Sequence, residues 1–186
     1  IVYGLNMLFT NATPLGGFTT EYTNVGSGKF LGLSYLVWIA LVVAAITWFI
    51  FNMTRHGKYM YAIGGNPQAA EVAGVPVKAT MILIYMKAAA MYGLAGFMLG
   101  AKAGGASVNL GYGYEMEAIA ACTIGGVSVT GGRGKVSSAI IGVAVFELLK
   151  AALQYLGVDA NAQYIAIGIV IFVAISLDIR KYVAKK

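Results

Sequence analysis

Four apolar runs divide the chain, at residues 30–54, 79–101, 136–156 and 160–177. Each is about as long as the roughly 20 residues that one helix needs to cross a hydrocarbon core. The first has no charged residue; Lys87 alone interrupts the second, and Glu147 and Lys150 the third. A fifth run, 118–132, is uncharged over 15 residues but short and rich in glycine and small side chains. Its length predicts a short or broken membrane segment, which is tolerated only where protein or a water-filled cavity surrounds it. The pattern predicts an all-α fold: a polytopic transmembrane helical bundle forming a single domain over 1–186, with residues 55–78 as a cytoplasmic loop within it. The first nine residues are almost all apolar and begin at Ile1, so they read as the last turns of a helix whose start is missing.

Composition agrees. Of 186 residues, 59% are hydrophobic and 11% charged, against about 25% charged in an ordinary soluble domain. One cysteine (Cys122) and one histidine (His56) leave no material for a disulfide framework or a Cys/His zinc cluster. The net charge of +6 follows topology rather than nucleic-acid binding. With the basic end after 160–177 placed in the cytoplasm, Arg55, Lys58, Lys78, Arg133, Lys135, Arg180, Lys181, Lys185 and Lys186 fall inside, and Lys29 and Lys102 outside. Nine against two satisfies the positive-inside rule and makes the C-terminus cytoplasmic. The parity requires 118–132 to carry the chain from outside to inside. Small-xxx-small spacings at Gly96/Gly100/Gly104, Ala89/Gly93 and Ser138/Gly142 predict close helix packing in lipid.

The loop at 55–78 contains a short helix with both ends marked. Asn66 is a good N-cap and Pro67 suits the first helical position. Gly74 fits the left-handed position after the helix, and Pro76 stops continuation. About seven residues make no stable helix alone in water, so this one must dock. Ala69, Ala70 and Ala73 offer a narrow small-residue face. Docking on its own bundle and seating on a cytoplasmic partner are both open.

Gln68-Ala-Ala-x-x-x-Gly74 resembles the Glu-Ala-Ala-x-x-x-Gly signature of ABC importer permeases, with Gln in place of Glu. Residues 61–74, Gly111-Tyr-Gly-Tyr-Glu-Met-Glu-Ala-Ile-Ala-Ala-Cys-Thr-Ile-Gly-Gly126, Gly131-Gly-Arg-Gly134 and Gly28-Lys-Phe-Leu-Gly-Leu33 resemble monosaccharide permeases of the ribose/galactose/xylose group. The 118–122 stretch and the 178–186 tail are most similar to its galactose/methyl-galactoside branch. The resemblance implies the C-terminal part of a longer bacterial inner-membrane permease that performs no catalysis and binds no cofactor itself. It further implies cytoplasmic ABC ATPase subunits that bind ATP, a second permease subunit in a homodimer, and an extracytoplasmic sugar-binding protein, with lipid around the spans. Asn66, Gln68, Ala69, Ala70, Glu71, Ala73 and Gly74 would then form the ATPase-coupling helix.

Other chemistry is thinner. Gly131-Gly-Arg-Gly-Lys135 superficially resembles a phosphate loop, but Val129 and Val136 occupy the required Gly and Ser/Thr positions; a tight cytoplasmic turn fits better. Charges inside spans cost a few kcal/mol unless paired or hydrated. Lys87 lies about 12 Å and Glu147 about 16 Å along their helices, so a Lys87–Glu147 pair and a Glu147–Lys150 pair are both open, as is lining of a solute pathway. Tyr112, Tyr114, Glu115 and Glu117 precede the short segment on the outer face, where hydroxyls and carboxylates suit a sugar or a binding protein. Two other function classes fit the pattern: an ion-coupled secondary transporter of a small polar solute with Lys87 and Glu147 as relay groups, and a channel-like or purely structural bundle.

Overall fold

A computed structural model describes residues 2–183, with the side chains of 3–159, 162–173 and 175–176. Tyr35–Met53 (α3), Val77–Ala103 (α6) and Val136–Tyr155 (α8) are long and apolar enough to cross a membrane. At 19 residues, α3 is about 28 Å long. An apolar 18-residue stretch in each of α3 and α6 buries nothing within the chain, as expected where lipid is the solvent. Ala160–Val183 forms a fourth long helix, α9, with Ala162–Val173 as its described apolar run. The charged tail at 184–186, used above for topology, lies outside the described residues. Val2–Thr10 (α1) is helical, as the apolar start predicts. The fold is all-α and polytopic, with four two-residue strands as its described sheet.

The first of two compact units comprises Ile1–Ile46 and Met81–Tyr112. Here the segments at 10–29 and 102–117 acquire structure that hydropathy does not reveal. Leu15–Gly16 (β1) pairs antiparallel with Gly105–Ala106 (β4), and Thr20–Ser27 forms a short helix, α2. The Tyr22 hydroxyl of α2 donates to the Phe97 carbonyl of α6 at 2.8 Å, and its ring stands edge-on to Phe18 and Phe97. Gly26 lies against the Ala101 backbone and Gly100 under the Tyr22 hydroxyl. Gly96 and Gly93 face open space, so only part of the predicted glycine stripe packs within the chain.

The predicted 30–54 span starts late because Lys29–Phe30 (β2) and Leu33–Ser34 (β3) form a hairpin. Leu31 and Gly32 make its two-residue turn at φ 52° and 82°, the left-handed pair that a hairpin twist requires.

The second unit comprises Thr47–Thr80 and Gly113–Lys186. Residues 55–65, expected as loop, form an 11-residue helix, Arg55–Gly65 (α4), capped by the Thr54 hydroxyl accepting from the Gly57 amide. Then follows Pro67–Val72 (α5). The short fifth run is helical over Tyr114–Ile124 (α7), starting before 118 and ending well before 132. At 11 residues α7 is about 16 Å long, half a hydrocarbon core. It packs on α8 and α9 through Ala120, Ala121, Phe146 and Ile167, with Ile124 and Ile171 against them. Gly142 permits this approach, since a Cβ there would overlap the Ala121 carbonyl, and Gly125 does the same against Ser138. The predicted Ser138/Gly142 spacing is thus an α7–α8 contact.

Candidate coupling helix and membrane charge cluster

The α5 helix is built by its ends. The Asn66 side chain accepts from the Gln68 and Ala69 amides at 3.0 and 3.1 Å, which satisfies donors that a helix start leaves unpaired. Pro67 follows at the first position. At the other end the Gly74 amide donates to Glu71 and the Val75 amide to Ala70, both at 3.0 Å. With Gly74 at φ 82°, this is the Schellman arrangement.

The predicted small-residue face splits in two. Ala70 turns inward onto Ile63 and Val75, with Tyr59 and Val77 packed against them. Asn66, Gln68, Ala69, Glu71, Val72, Ala73 and Gly74 remain exposed, and Val72 is 91% exposed. The helix therefore docks on its own fold through one alanine and leaves the rest of its circumference open. Val72 is the exposed apolar tip.

The approach from α4 to the following membrane elements runs through glycines. A Cβ on Gly64 would meet Gly132, and Cβ atoms on Gly131 or Gly132 would meet Gly64 or Gly65, backbone against backbone. Gly131, Gly132 and Gly134 take φ values of 94°, 70° and 145°, which side chains with a Cβ adopt only under strain. The Tyr61 hydroxyl donates to the Gly134 carbonyl at 2.8 Å, and Phe51 stacks edge-on to Tyr61 at 5.7 Å. The motif that resembles a phosphate loop is thus a docked turn, with Arg133 and Lys135 exposed.

The charged residues sort differently from the sequence expectation. Glu117, placed by the sequence on an external loop, lies in the first turn of α7. Its Oε2 accepts from Lys150 Nζ of α8 at 2.7 Å, with side chains 17% and 21% exposed. Glu147 is 62% exposed and stands 4.0 Å from the same ammonium, which also lies over the Phe146 ring. Lys150 thus joins Glu117 and Glu147, an arrangement the sequence reading anticipates only in its Glu147–Lys150 half. Lys87 is half-buried on α6 in the first unit. Glu115 is exposed in the α7 first turn, and Tyr112 is exposed ahead of it.

Residues 3–175 match the family described as branched-chain amino acid transport system / permease component. The galactose/methyl galactoside import permease protein of Escherichia coli (strain K12) is 42% identical over 193 residues, covering 100% of this chain and 57% of that protein. The protein of the same name from Treponema pallidum (strain Nichols) is 37% identical over 195 residues, covering 100% and 36%. The ribose import permease protein of Escherichia coli (strain K12) is 34% identical over 185 residues, covering 97% and 58%. The chain thus spans little more than half the length of the E. coli relatives. No solved structure matches it. With nearly its whole length matched, the chain belongs to the branched-chain amino acid transport system / permease component family.

Proposed function

We propose that this chain is part of the membrane-spanning permease subunit of an ATP-driven monosaccharide importer, with galactose or a methyl galactoside as its solute. The observation that carries the reading is α5, a six-residue helix capped at both ends, docked by Ala70 and otherwise open. A helix this short has no stability of its own, and its exposed Gln68, Ala69, Glu71, Val72 and Ala73 suit insertion into a groove of a cytoplasmic ATPase. The names of the relatives support the solute class, galactosides ahead of ribose by identity.

In this reading two permease subunits form the pathway in the bacterial inner membrane, with the C-terminus cytoplasmic. Two ATPase subunits bind ATP, and an extracytoplasmic binding protein delivers the sugar. The permease binds no cofactor and performs no bond chemistry. Lys87, Tyr112, Glu115, Glu117 and Glu147 are the candidates for contact with solute or binding protein.

The test is uptake of labelled galactose by the full-length permease co-expressed with its ATPase and binding-protein partners. Ribose and xylose serve as competitors. Uptake abolished by an ATPase-dead partner and competed only by unlabelled galactose is the expected result. Uptake that survives the dead ATPase and stops when the ion gradient is dissipated would establish the ion-coupled alternative instead.

A further inference from the structure

We infer that the glycine turn at 131–134 is the joint through which the α4–α5 pair moves α7 and α8, with Tyr61 and Gly132 as its positioning residues. The inference rests on the coupling role proposed for α5.

Four contacts run in series, each within the second unit. The α5 helix is fixed to α4 by Ile63, Ala70 and Val75. The end of α4 is fixed to the turn by Gly64 and Gly65 against Gly131 and Gly132, and by the Tyr61 hydroxyl on the Gly134 carbonyl. The turn is fixed to the end of α7: the Ser128 amide donates to Arg133 and the Val127 amide to Cys122, both at 3.0 Å, while Gly134 lies against Val127. Finally α7 is fixed to α8 by Gly125 on Ser138 and Gly142 on Ala121.

The contacts of Gly64 and Gly65 with Gly131 and Gly132, and those between α7 and α8, share one property: backbone meets backbone where glycine removes the side chain. Contacts packed this closely have low compressibility and transmit strain. A cytoplasmic turn needs no such contact merely to reverse direction. A cleft of about 340 Å³ lies beside the joint, lined by Phe51, Met60, Tyr61, Cys122 and Val127 among others, and leaves room for the two sides to shift.

The experiment uses the complete transporter in proteoliposomes, with full-length permease, ATPase and binding protein, and reads sugar moved per ATP hydrolysed. Tyr61→Phe removes one hydrogen bond and nothing else; the ratio is expected to fall about three- to tenfold, the size of one such bond, with ATP hydrolysis retained. Gly132→Ala inserts a methyl against the Gly65 backbone at a left-handed φ, and a larger fall is expected. The double variant should be no worse than Gly132→Ala alone, because both act on one joint. Tyr61→Phe keeps the test informative where Gly132→Ala fails to assemble. A ratio unchanged in Tyr61→Phe, or uptake and hydrolysis falling in proportion, overturns the inference while leaving the importer reading intact. Wild-type complex without ATP-driven uptake overturns the importer reading and the inference with it.

Discussion

Removing the Lys150 ammonium should damage the fold more than removing the Glu117 charge, and removing both should repair part of the damage. The asymmetry follows from distances. Glu117 is 17% exposed and, among the described residues, Lys150 is the cation within 4.0 Å of it. Lys150→Met therefore strands a largely buried carboxylate, and breaking a buried pair in this way costs about 3–5 kcal/mol. Residual exposure screens part of that, so about 2–4 kcal/mol is expected. Glu117→Gln keeps an amide oxygen as acceptor, and Lys150 retains Glu147 at 4.0 Å, so about 1–2 kcal/mol suffices. For a permease the length of the E. coli relatives, of which this chain covers 57%, each kcal/mol moves a melting midpoint by about 1–2 °C. Thermal unfolding of the full-length permease in nanodiscs should show drops of about 2–8 °C and 1–4 °C for the two variants, the first always the larger. The double variant, with neither charge buried, should melt above Lys150→Met. Additive losses, or Glu117→Gln as the worse single change, would refute the pair as a fold-holding element and return Glu117 to a loop-like role.

Three further outcomes test other joints. Asn66→Ala deletes both N-cap bonds of α5 and should cost about 1 kcal/mol, read as roughly fivefold faster amide exchange over residues 68–72. Gly142→Ala places a methyl on the Ala121 carbonyl and should lower stability by about 1–3 kcal/mol, seen as a depressed melting midpoint. Leu31 occupies a left-handed φ of 52°, which costs a non-glycine residue of order 1 kcal/mol. Leu31→Asn should raise the midpoint of the full-length permease by about 1–2 °C, and an unchanged or lower value would contradict the turn geometry.

What the sequence reveals depends on how local the cause is. Asn66, Pro67, Gly74 and Pro76 mark α5 within eleven residues, because capping is a near-neighbour effect, and the structure supplies each expected bond. The neighbouring α4 is illegible for the opposite reason. Gly57, Gly64 and Gly65 read as loop by propensity, yet Gly57 is buried beneath the Ile50 and Phe51 carbonyls and Gly64 meets Gly132. Tertiary contacts stabilise what propensity disfavours. The Glu117–Lys150 pair joins residues 33 positions apart, beyond any periodic signal. Its trace in the sequence is that a lysine within an apolar span demands an anion. Depth along each helix leaves a Lys87–Glu147 and a Glu147–Lys150 pair both open, and the structure turns Lys150 across to Glu117 of α7 with Glu147 4.0 Å away.

Why α7 stops at Ile124 also explains where the chain buries its side chains. A helix of 11 residues hands over to turns at membrane depth or at the membrane edge, and irregular backbone there must be sheltered from hydrocarbon. The first turn after α7 satisfies itself: the Gly126 amide donates to Thr123 and the Val127 amide to Cys122, with Gly126 at φ 83°. The next is covered by α4, through Gly64 and Gly65 on Gly131 and Gly132. The helix itself is covered by α8 and α9, and fully buried side chains concentrate there, with Ala120 and Phe146 at 0% and 1% exposure. By contrast an apolar 18-residue stretch in each of α3 and α6, regular helix with a self-satisfied backbone, buries nothing within the chain, and the buried side chains of α6, Thr80 and Ala101, lie near its ends. Burial around α7 thus follows broken backbone rather than hydropathy. Ala120, Ala121, Phe146 and Ile167 form a buried cluster around a helix too short to span, because that helix and its glycine turns are what lipid could not solvate.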